Sequence, residues 1–233
     1  MPTVVVTGAS QGIGRAVAVA YAAYPDARLA LLARTEAKLR AVAAECARLG
    51  AEADVVVCDV TDEANVASAA ERVHERLGAV DVLVNNAGVF QPGSFLEITP
   101  ETFREQIEVN LTSAFLVTRA FLPAMLERGT GDLVFMASVA SLRGYPGGAA
   151  YGAAKHGLLG LARTLREETK DRGVRVISVM PGATMTPSWD GVDLPPGRLM
   201  PPEAIAKTIV AATSLPREAV VEELLLRPQL GDV

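Results

Sequence analysis

"TVVVTGASQGIG", residues 3–14, is the stretch that decides the fold of this 233-residue chain. It starts with an unbroken apolar run and passes directly into a turn that contains three glycines. A short apolar run bounded by turn residues predicts a strand buried on both faces, as in a parallel sheet. The residues after the turn have the pattern of a helix over 12–24. The chain is therefore predicted to open with a strand, a glycine-rich turn and a helix.

Each glycine of this turn has a physical role in a nucleotide site. Gly8 permits a tight turn, Gly12 lets the backbone approach a pyrophosphate, and Gly14 lets the helix pack closely on the strand. The pyrophosphate would lie at the helix N-terminus, where free amides and the helix dipole favour an anion. No Lys-Ser or Lys-Thr follows the last glycine, so the turn is not a Walker loop. The turn indicates a dinucleotide site; a plain strand–helix connection is the alternative.

The alternation of apolar runs and helical patterns continues to the end of the sequence. The predicted strands are 3–7, 28–33, 53–57, 80–84, 132–137, 174–180 and 219–226, and the predicted helices are 12–24, 36–49, 62–77, 100–128, 150–172 and 202–214. Such alternation implies right-handed crossovers. We predict an α/β fold in a single domain over 1–233, a doubly wound, Rossmann-like parallel sheet of about seven strands with helices on both faces.

Local signals support these boundaries and single out one loop. Thr61 and Thr99 stand where helix N-caps are expected, with acidic residues close behind. Residues 183–202 are rich in proline and have no periodicity. A loop of this length is uncommon unless it has a function, so it is predicted to be a lid over a ligand.

Composition excludes several classes of function. The formal net charge is -5 with a pI near 5.2, which argues against a nucleic-acid or anionic-membrane surface. The N-terminus has no basic leader, and no uninterrupted apolar run approaches the ~18 residues of a membrane span. Cys46 and Cys58 form no disulfide framework, and His74 and His156 form no metal-ligand grouping. We therefore expect a cytoplasmic protein without a metal site.

Arg34 bears on the choice of cofactor. About 20 residues beyond the glycine turn, an NAD site commonly places a carboxylate that bonds the ribose 2′-hydroxyl. Here the second predicted strand ends at "LARTE", with Arg34 and no carboxylate at its end. A guanidinium can pair with a 2′-phosphate through two hydrogen bonds. This predicts NADP(H) in preference to NAD(H); a solvated arginine at a helix start is the alternative.

Seven segments together carry a family likeness. They are "TGASQGIG" (7–14), "CDVTD" (58–62), "NNAG" (85–88), "VN" (109–110), "ASVAS" (137–141), "YGAAK" (151–155) and "PGATMT" (181–186). In order and spacing the chain resembles the short-chain dehydrogenase/reductase superfamily over nearly its whole length. Two departures stand out: Gln11 occupies a position where some NADPH-preferring members carry a basic residue, and Thr184 one that is often aliphatic.

The resemblance implies roles for four residues. Tyr151 would exchange a proton with the substrate oxygen, and Lys155 would lower the pKa of the phenol and bond the nicotinamide ribose. Ser138 would hydrogen-bond the substrate oxygen, and Asn110 would hold a water that relays protons. The cofactor residues it implies are Gly8, Ser10, Gln11, Gly12, Ile13, Gly14, Arg34, Asp59, Val60, Asn86, Ala87, Gly88, Tyr151, Lys155, Pro181, Gly182, Thr184 and Thr186.

The reaction expected is the interconversion of a ketone or aldehyde and an alcohol, with Tyr151 as the acid/base. The substrate is expected to be a small, mostly neutral or hydrophobic carbonyl compound or alcohol, and Arg143 and Arg198 are the only nearby candidates to clamp a carboxylate. A predicted pocket comprises Phe90, Ser138, Val139, Leu142, Tyr145 and Trp189. A catalytically silent dinucleotide-binding sensor or partner-binding protein is the alternative. An extended epimerase or dehydratase would need a larger C-terminal region. The resemblance also suggests a homodimer or homotetramer.

Overall fold

The structure, a computed structural model, describes residues 2–232 and contains one sheet of seven parallel strands. In chain order the strands are β1 (Thr3–Thr7), β2 (Arg28–Ala33), β3 (Glu52–Val57), β4 (Val82–Asn85), β5 (Gly131–Met136), β6 (Val174–Pro181) and β7 (Glu223–Leu226). Their order across the sheet is β3-β2-β1-β4-β5-β6-β7. The chain therefore reverses its direction across the sheet between β1 and β4. In an open α/β sheet, this reversal point at the carboxyl edge is where a ligand binds.

Helices cover both faces of the sheet, as predicted. They are α1 (Gly12–Ala22), α2 (Glu36–Arg48), α3 (Glu63–Leu77), α4 (Pro100–Ile107), α5 (Ser113–Arg128), α6 (Ala149–Thr169) and α7 (Pro202–Thr213). One core lies between the sheet and α1, α2 and α7, with Val17, Leu39 and Ile209 fully buried. The second lies on the opposite face and contains Phe121 and Leu158. Because both faces are covered, the central strands are apolar throughout.

The predicted helix 100–128 is divided in the structure. A π-helical turn over Glu108–Thr112 separates α4 from α5. The whole run Pro100–Arg128 is long and apolar enough to cross a membrane by length and composition alone. Its buried side chains Phe121 and Met125 instead pack into the core of the sheet. The apolar composition of the run is therefore explained by this packing.

Several other boundaries differ from the prediction by one or two residues, as for α1 and β4, and two differences, at α3 and β7, have a clear physical cause. Thr61 does not cap α3; the Asp62 carboxylate accepts from the Asn65 amide, while the Thr61 hydroxyl donates to Asp59 over 2.7 Å. A carboxylate one residue closer to the helix therefore takes the cap position. β7 begins at Glu223 rather than at 219. The carbonyl of Ala219 accepts a hydrogen bond from buried Arg175, so the chain joins the sheet later.

Candidate active site

The glycine turn adopts the conformation that its sequence predicts. Gly8 and Gly12 have φ of +63° and +55°, which side-chain-bearing residues rarely adopt. A Cβ on Gly14 would lie 2.3 Å from the Gly8 carbonyl oxygen. A Cβ on Gly8 would lie 2.9 Å from the Ala87 Cα. The turn therefore packs against itself and against the end of β4, with no room for side chains at these positions.

Hydrogen bonds from β4 hold the turn in place. The Thr7 hydroxyl accepts from the backbone amides of Asn86 and Ala87 over 2.9 and 3.0 Å. The side-chain amide of Asn86 donates to the carbonyls of Thr7 and Gly8 over 2.9 and 3.3 Å. The segment "NNAG" thus ties the end of β4 to the end of β1. The side-chain amide of Asn86 therefore positions the glycine turn, and it would affect a bound cofactor by holding that turn in place.

A cleft of about 460 Å³ opens above this edge of the sheet. It lies within the usual size range of small-molecule sites, ~300–1,000 Å³. The predicted site residues that line it are Gly8, Ser10, Gln11, Gly12, Ile13, Arg34, Asp59, Val60, Asn86, Ala87, Gly88, Asn110, Tyr151, Lys155, Pro181 and Thr186. Residues from both halves of the sheet therefore meet in one cleft.

Four predicted site residues lie beside the cleft rather than on its lining. Gly14 is packed under the turn, and Ser138 is buried with its hydroxyl accepting from the Ala140 amide over 3.1 Å. Gly182 packs against the C-terminal segment, and its amide donates to the Leu226 carbonyl. The buried Thr184 hydroxyl donates to the Gly182 carbonyl over 2.9 Å. The Gly182 amide and the Thr184 hydroxyl are therefore already bonded within the chain, and the part of these two residues in binding the cofactor stays a prediction.

The loop after β6 reaches the cleft through its first part. Thr186 and Pro187 line the cleft, and the Thr186 methyl would lie 3.3 Å from a Cβ on Gly12. The Met185 amide donates to the Met200 carbonyl over 2.8 Å, which joins the two ends of the loop. Trp189 lies in a short 3-10 turn over Pro187–Trp189. The loop is thus closed on itself beside the glycine turn, and its role as a lid stays a prediction.

Tyr151 lies in the first turn of the predicted acid–base helix, α6. Its ring meets Phe90 edge to face, with 5.1 Å between centroids. Burial raises the pKa of Tyr151, and a hydrogen bond with the Ser138 hydroxyl opposes that rise. The phenol is therefore neutral at physiological pH and can act as a proton donor. The Ser138 hydroxyl thus lies at the phenol, and its predicted hydrogen bond to a substrate oxygen stays a prediction.

Lys155 is buried one helical turn beyond Tyr151. Its ammonium donates to the Met136 carbonyl over 2.7 Å and lies 5.5 Å from the centre of the Tyr151 ring. Burial lowers the pKa of Lys155 to about 8, so the side chain is mostly charged at pH 7. The expected depression of the Tyr151 pKa is not found. The ammonium is directed to the Met136 carbonyl, and the effect of burial on the phenol is larger.

Asn110 lies on the π-helical turn and is almost fully buried. Its side-chain amide donates to the carbonyls of Val89 and Gln106 over 2.9 and 3.0 Å, and its oxygen accepts from the Val89 amide over 3.2 Å. The same oxygen would lie 2.7 Å from a Cβ on Gly88. The side chain therefore fixes the loop after β4, and its predicted part in a water relay stays a prediction. Such π turns are frequent at functional sites.

An aromatic cluster borders the end of the cleft that contains Tyr151. The rings of Phe90 and Tyr145 lie 6.5 Å apart, and burial raises the pKa of Tyr145 to about 12.

Arg143 forms an ion pair with Asp232, and Arg198 donates to the Asp232 backbone carbonyl over 2.8 Å. The two arginines predicted as candidate carboxylate clamps are thus bound to the C-terminal segment.

The opposite end of the cleft is basic and contains a residue that the sequence analysis missed. Arg34 lines the cleft, as predicted, and lowers the pKa of Asp59, although the two hydrogen bonds from Thr61 lower it more. Lys38, four residues further along the chain, also lines the cleft. Its ammonium donates to the Gln11 side-chain oxygen over 2.8 Å. The sequence contained one signal for this residue: Lys38 follows Arg34 by four positions, a spacing that places two cations on the same side at the start of α2.

A parallel sheet with a glycine turn and a large cleft at its reversal point defines the class of doubly wound, nucleotide-binding α/β proteins. Residues 2–194 match the short chain dehydrogenase family. The chain belongs to this family.

Three similar proteins were found along nearly the full chain. A sepiapterin reductase from Chlorobaculum tepidum is 38% identical over 98% of this chain and 96% of its own. A 3-oxoacyl-[acyl-carrier-protein] reductase from Synechocystis sp. is 34% identical over 93% and 90%. The crystal structure of an alcohol dehydrogenase from Thermococcus sibiricus, complexed with 5-hydroxy-NADP, superposes with a TM-score of 0.92. That protein is 35% identical, with 98% of this chain and 97% of the other covered.

Proposed function

We propose that this protein is an NADP(H)-dependent oxidoreductase that interconverts a ketone or aldehyde and an alcohol, with Tyr151 as the acid/base. The observation that carries the proposal is the placement of Tyr151 and charged Lys155 in the same cleft that the glycine turn opens. In steady-state assays, NADPH and a panel of ketones should give turnover. A panel that includes pterin ketones, 3-oxoacyl thioesters and simple ketones covers the chemistry named for the relatives.

The cleft fits a dinucleotide. Gly8 and Gly12 line the cleft at the N-terminus of α1, where free backbone amides suit a pyrophosphate, and Gly14 lets the turn pack closely beneath them. The Arg34 guanidinium and the absence of a carboxylate at the end of β2 favour a 2′-phosphate. The structural relative from Thermococcus sibiricus was solved with an NADP derivative, which supports the same cofactor here. Once bound, the nicotinamide would donate or accept the hydride.

The side chains of the protein would supply the proton that the substrate oxygen receives and the positive charge that stabilises the resulting phenolate. Hydride addition to a carbonyl carbon leaves negative charge on its oxygen, and the neutral Tyr151 phenol would donate its proton to that oxygen. The ammonium of Lys155 would stabilise the phenolate that remains, because an opposite charge nearby favours the charged form. Ser138 would donate a hydrogen bond to the same oxygen. In the oxidative direction the proton moves from the alcohol to the phenolate.

The surroundings of Tyr151 favour a neutral carbonyl compound. Phe90 and Tyr145 present aromatic surface, and both nearby arginines already bind the C-terminal segment. A substrate carboxylate would have to displace Asp232 from Arg143. Reduction is the expected direction, and a homodimer or homotetramer through α5 and α6 is the expected assembly.

Replacing Arg34 by aspartate should shift the cofactor preference toward NADH. Loss of a charged hydrogen-bonding partner, worth about 1.5–3 kcal/mol, predicts a change of about 10- to 100-fold in the ratio of kcat/KM for NADPH and NADH. The added carboxylate would also repel a phosphate and can bond a ribose hydroxyl. Arg48→Asp, at the far end of α2, is the matched control and should leave the ratio unchanged. An unchanged ratio in Arg34→Asp would mean that the phosphate is held elsewhere.

Reduction should slow as the pH rises through about 8. Lys155 carries its proton below that pKa and loses it above, whereas the raised pKa of Tyr151 keeps the phenol protonated over the same range. The pH profile of kcat/KM reports the groups of the free enzyme, so its alkaline limb should lie near pH 8. Lys155→Arg, whose guanidinium does not titrate in this range, should lose the limb even if its overall rate is lower. A limb that persists in this variant would assign it to another group.

A further inference from the structure

The contact between Lys38 and Gln11 connects two elements that border the basic end of the cleft, where Arg34 also lies. Lys38 lies in the first turn of α2, and Gln11 directly precedes α1 in the glycine turn. The Lys38 ammonium donates to the Gln11 side-chain oxygen over 2.8 Å, across 27 positions of sequence. Both residues line the cleft, as does Arg34. Two cationic side chains, Lys38 of α2 and Arg34 two residues before that helix, therefore border the same end of the cleft.

Two cations border this end of the cleft, and Asp59, a carboxylate that stays ionised because hydrogen bonds from Thr61 and the charge of Arg34 lower its pKa, offsets part of their charge through space. Glu36 is bound by Arg40 over 2.5 Å, and Asp59 accepts two hydrogen bonds from Thr61. Over residues 2–232, Arg34 has no ion pair or side-chain hydrogen bond. Gln11 is an amide, so its oxygen orients the Lys38 ammonium without cancelling the charge. A carboxylate in its place would neutralise Lys38.

The position of Lys38 on its helix also calls for an anion. A cation in the first turn is unfavourable beside the positive end of the helix dipole. The N-cap residue Thr35 makes no side-chain capping bond, so the first amides of α2 gain no side-chain acceptor from it. A bound dianion would interact favourably with the amides and with both cations. This end of the cleft therefore has the charge and the hydrogen-bond donors of a phosphate site.

We propose that Lys38 is the second cation for the 2′-phosphate of the cofactor, beside Arg34, and that Gln11 is its positioning residue. Gln11 itself carries no charge, and its hydrogen bond holds the Lys38 ammonium at the end of the cleft that Arg34 borders. This inference rests on the NADP(H) preference proposed above. It adds two residues that would set the preference for NADP(H): Lys38 by contact with the 2′-phosphate, and Gln11 by positioning the Lys38 ammonium.

The test is calorimetric binding of adenosine 2′,5′-bisphosphate and of 5′-AMP, which differ only in the 2′-phosphate. Lys38→Met should weaken binding of the bisphosphate about 10-fold and change binding of 5′-AMP less than about twofold, because one charged hydrogen bond is lost. Lys38→Arg should restore most of the loss. Lys170→Met is the control for the same change far from the cleft, since Lys170 pairs with Glu167 near the opposite edge of the sheet.

Gln11 is tested by the coupling between the two positions. Gln11→Leu should weaken bisphosphate binding about threefold in the wild-type background and have no further effect with Lys38→Met, since its role acts through Lys38. Independent, additive losses would overturn the positioning role. If Lys38→Met binds both fragments as wild type does, the proposal for Lys38 fails. If the wild-type protein itself does not distinguish the two fragments, the NADP(H) preference fails, and this inference fails with it.

Discussion

Replacing Tyr151 by phenylalanine is expected to lower the kcat for ketone reduction with NADPH by about 10³-fold, the range of a lost general acid. The variant removes only the hydroxyl, which would donate the proton to the substrate oxygen. The ring keeps its edge-to-face contact with Phe90 at 5.1 Å, so the free energy of unfolding should change little. Steady-state assays of both proteins, with thermal unfolding as a check on folding, provide the measurement.

Tyr24→Phe is the matched control for this variant. Tyr24 lies in the turn after α1, is exposed, and loses the same hydroxyl. It should keep the wild-type rate within about twofold. Turnover in Tyr151→Phe equal to that of Tyr24→Phe would sink the assignment of the acid/base. Cofactor binding by the wild-type protein without turnover of any carbonyl compound would instead favour the silent dinucleotide-binding protein.

Gly14→Ala should destabilise the fold by about 3 kcal/mol, at the upper end of the cost of overpacking. The new Cβ would lie 2.3 Å from the Gly8 carbonyl oxygen and 2.5 Å from the Asn86 side-chain amide. The first of these groups is backbone and cannot rotate away, so the turn or α1 must move. For a protein of this size the loss corresponds to a fall in Tm of about 6–12 °C. The moved turn should also bind NADP(H) at least about 10-fold more weakly, since the same amides face the pyrophosphate.

Gly160→Ala makes the same chemical change where there is room. Gly160 lies in α6, is exposed, and a Cβ there has no neighbour within 4 Å. Alanine should stabilise that helix by about 0.5–1 kcal/mol. Urea denaturation of both variants tests the pair. Equal stability of the two variants would show that the close packing under the glycine turn costs nothing to disturb, against the geometry described above.

The fold could be predicted because its strongest signals are local. Apolar runs too short for helices alternate with helical patterns, and the glycine turn follows the first of those runs. The topology then follows from the right-handedness of the crossovers. Most of the candidate cofactor residues belong to the ends of strands, and parallel strands bring those ends to one edge of the sheet. Spacing alone placed Tyr151 and Lys155 on one helix.

The remaining features depend on contacts that local patterns do not contain. The π turn around Asn110 leaves the apolar periodicity of the run 100–128 nearly intact, so one helix was predicted where two are present. The contacts of Arg143 and Arg198 with Asp232 join residues far apart in sequence, so the sequence could only indicate both arginines as candidate clamps for a carboxylate. The pKa of Tyr151 depends on the balance between burial and the hydrogen bond with Ser138, and neither can be read from spacing. Neither the direction of the Lys155 ammonium nor the Lys38–Gln11 contact could be inferred from spacing.

The two ends of the cleft differ in how far their residues can be substituted without disturbing the fold, because the hydrogen bonds of Thr7 and Asn86 lie at only one of them. At the glycine turn, the hydrogen bonds that shape the cleft also join the end of β1 to the end of β4. A substitution there is therefore expected to weaken both cofactor binding and the fold. At the basic end, Arg34 and Lys38 are exposed, and over residues 2–232 their one side-chain hydrogen bond, from Lys38 to Gln11, links α2 to the glycine turn and involves no strand. Redesign of cofactor choice should therefore succeed at that rim, where substitutions leave the scaffold intact.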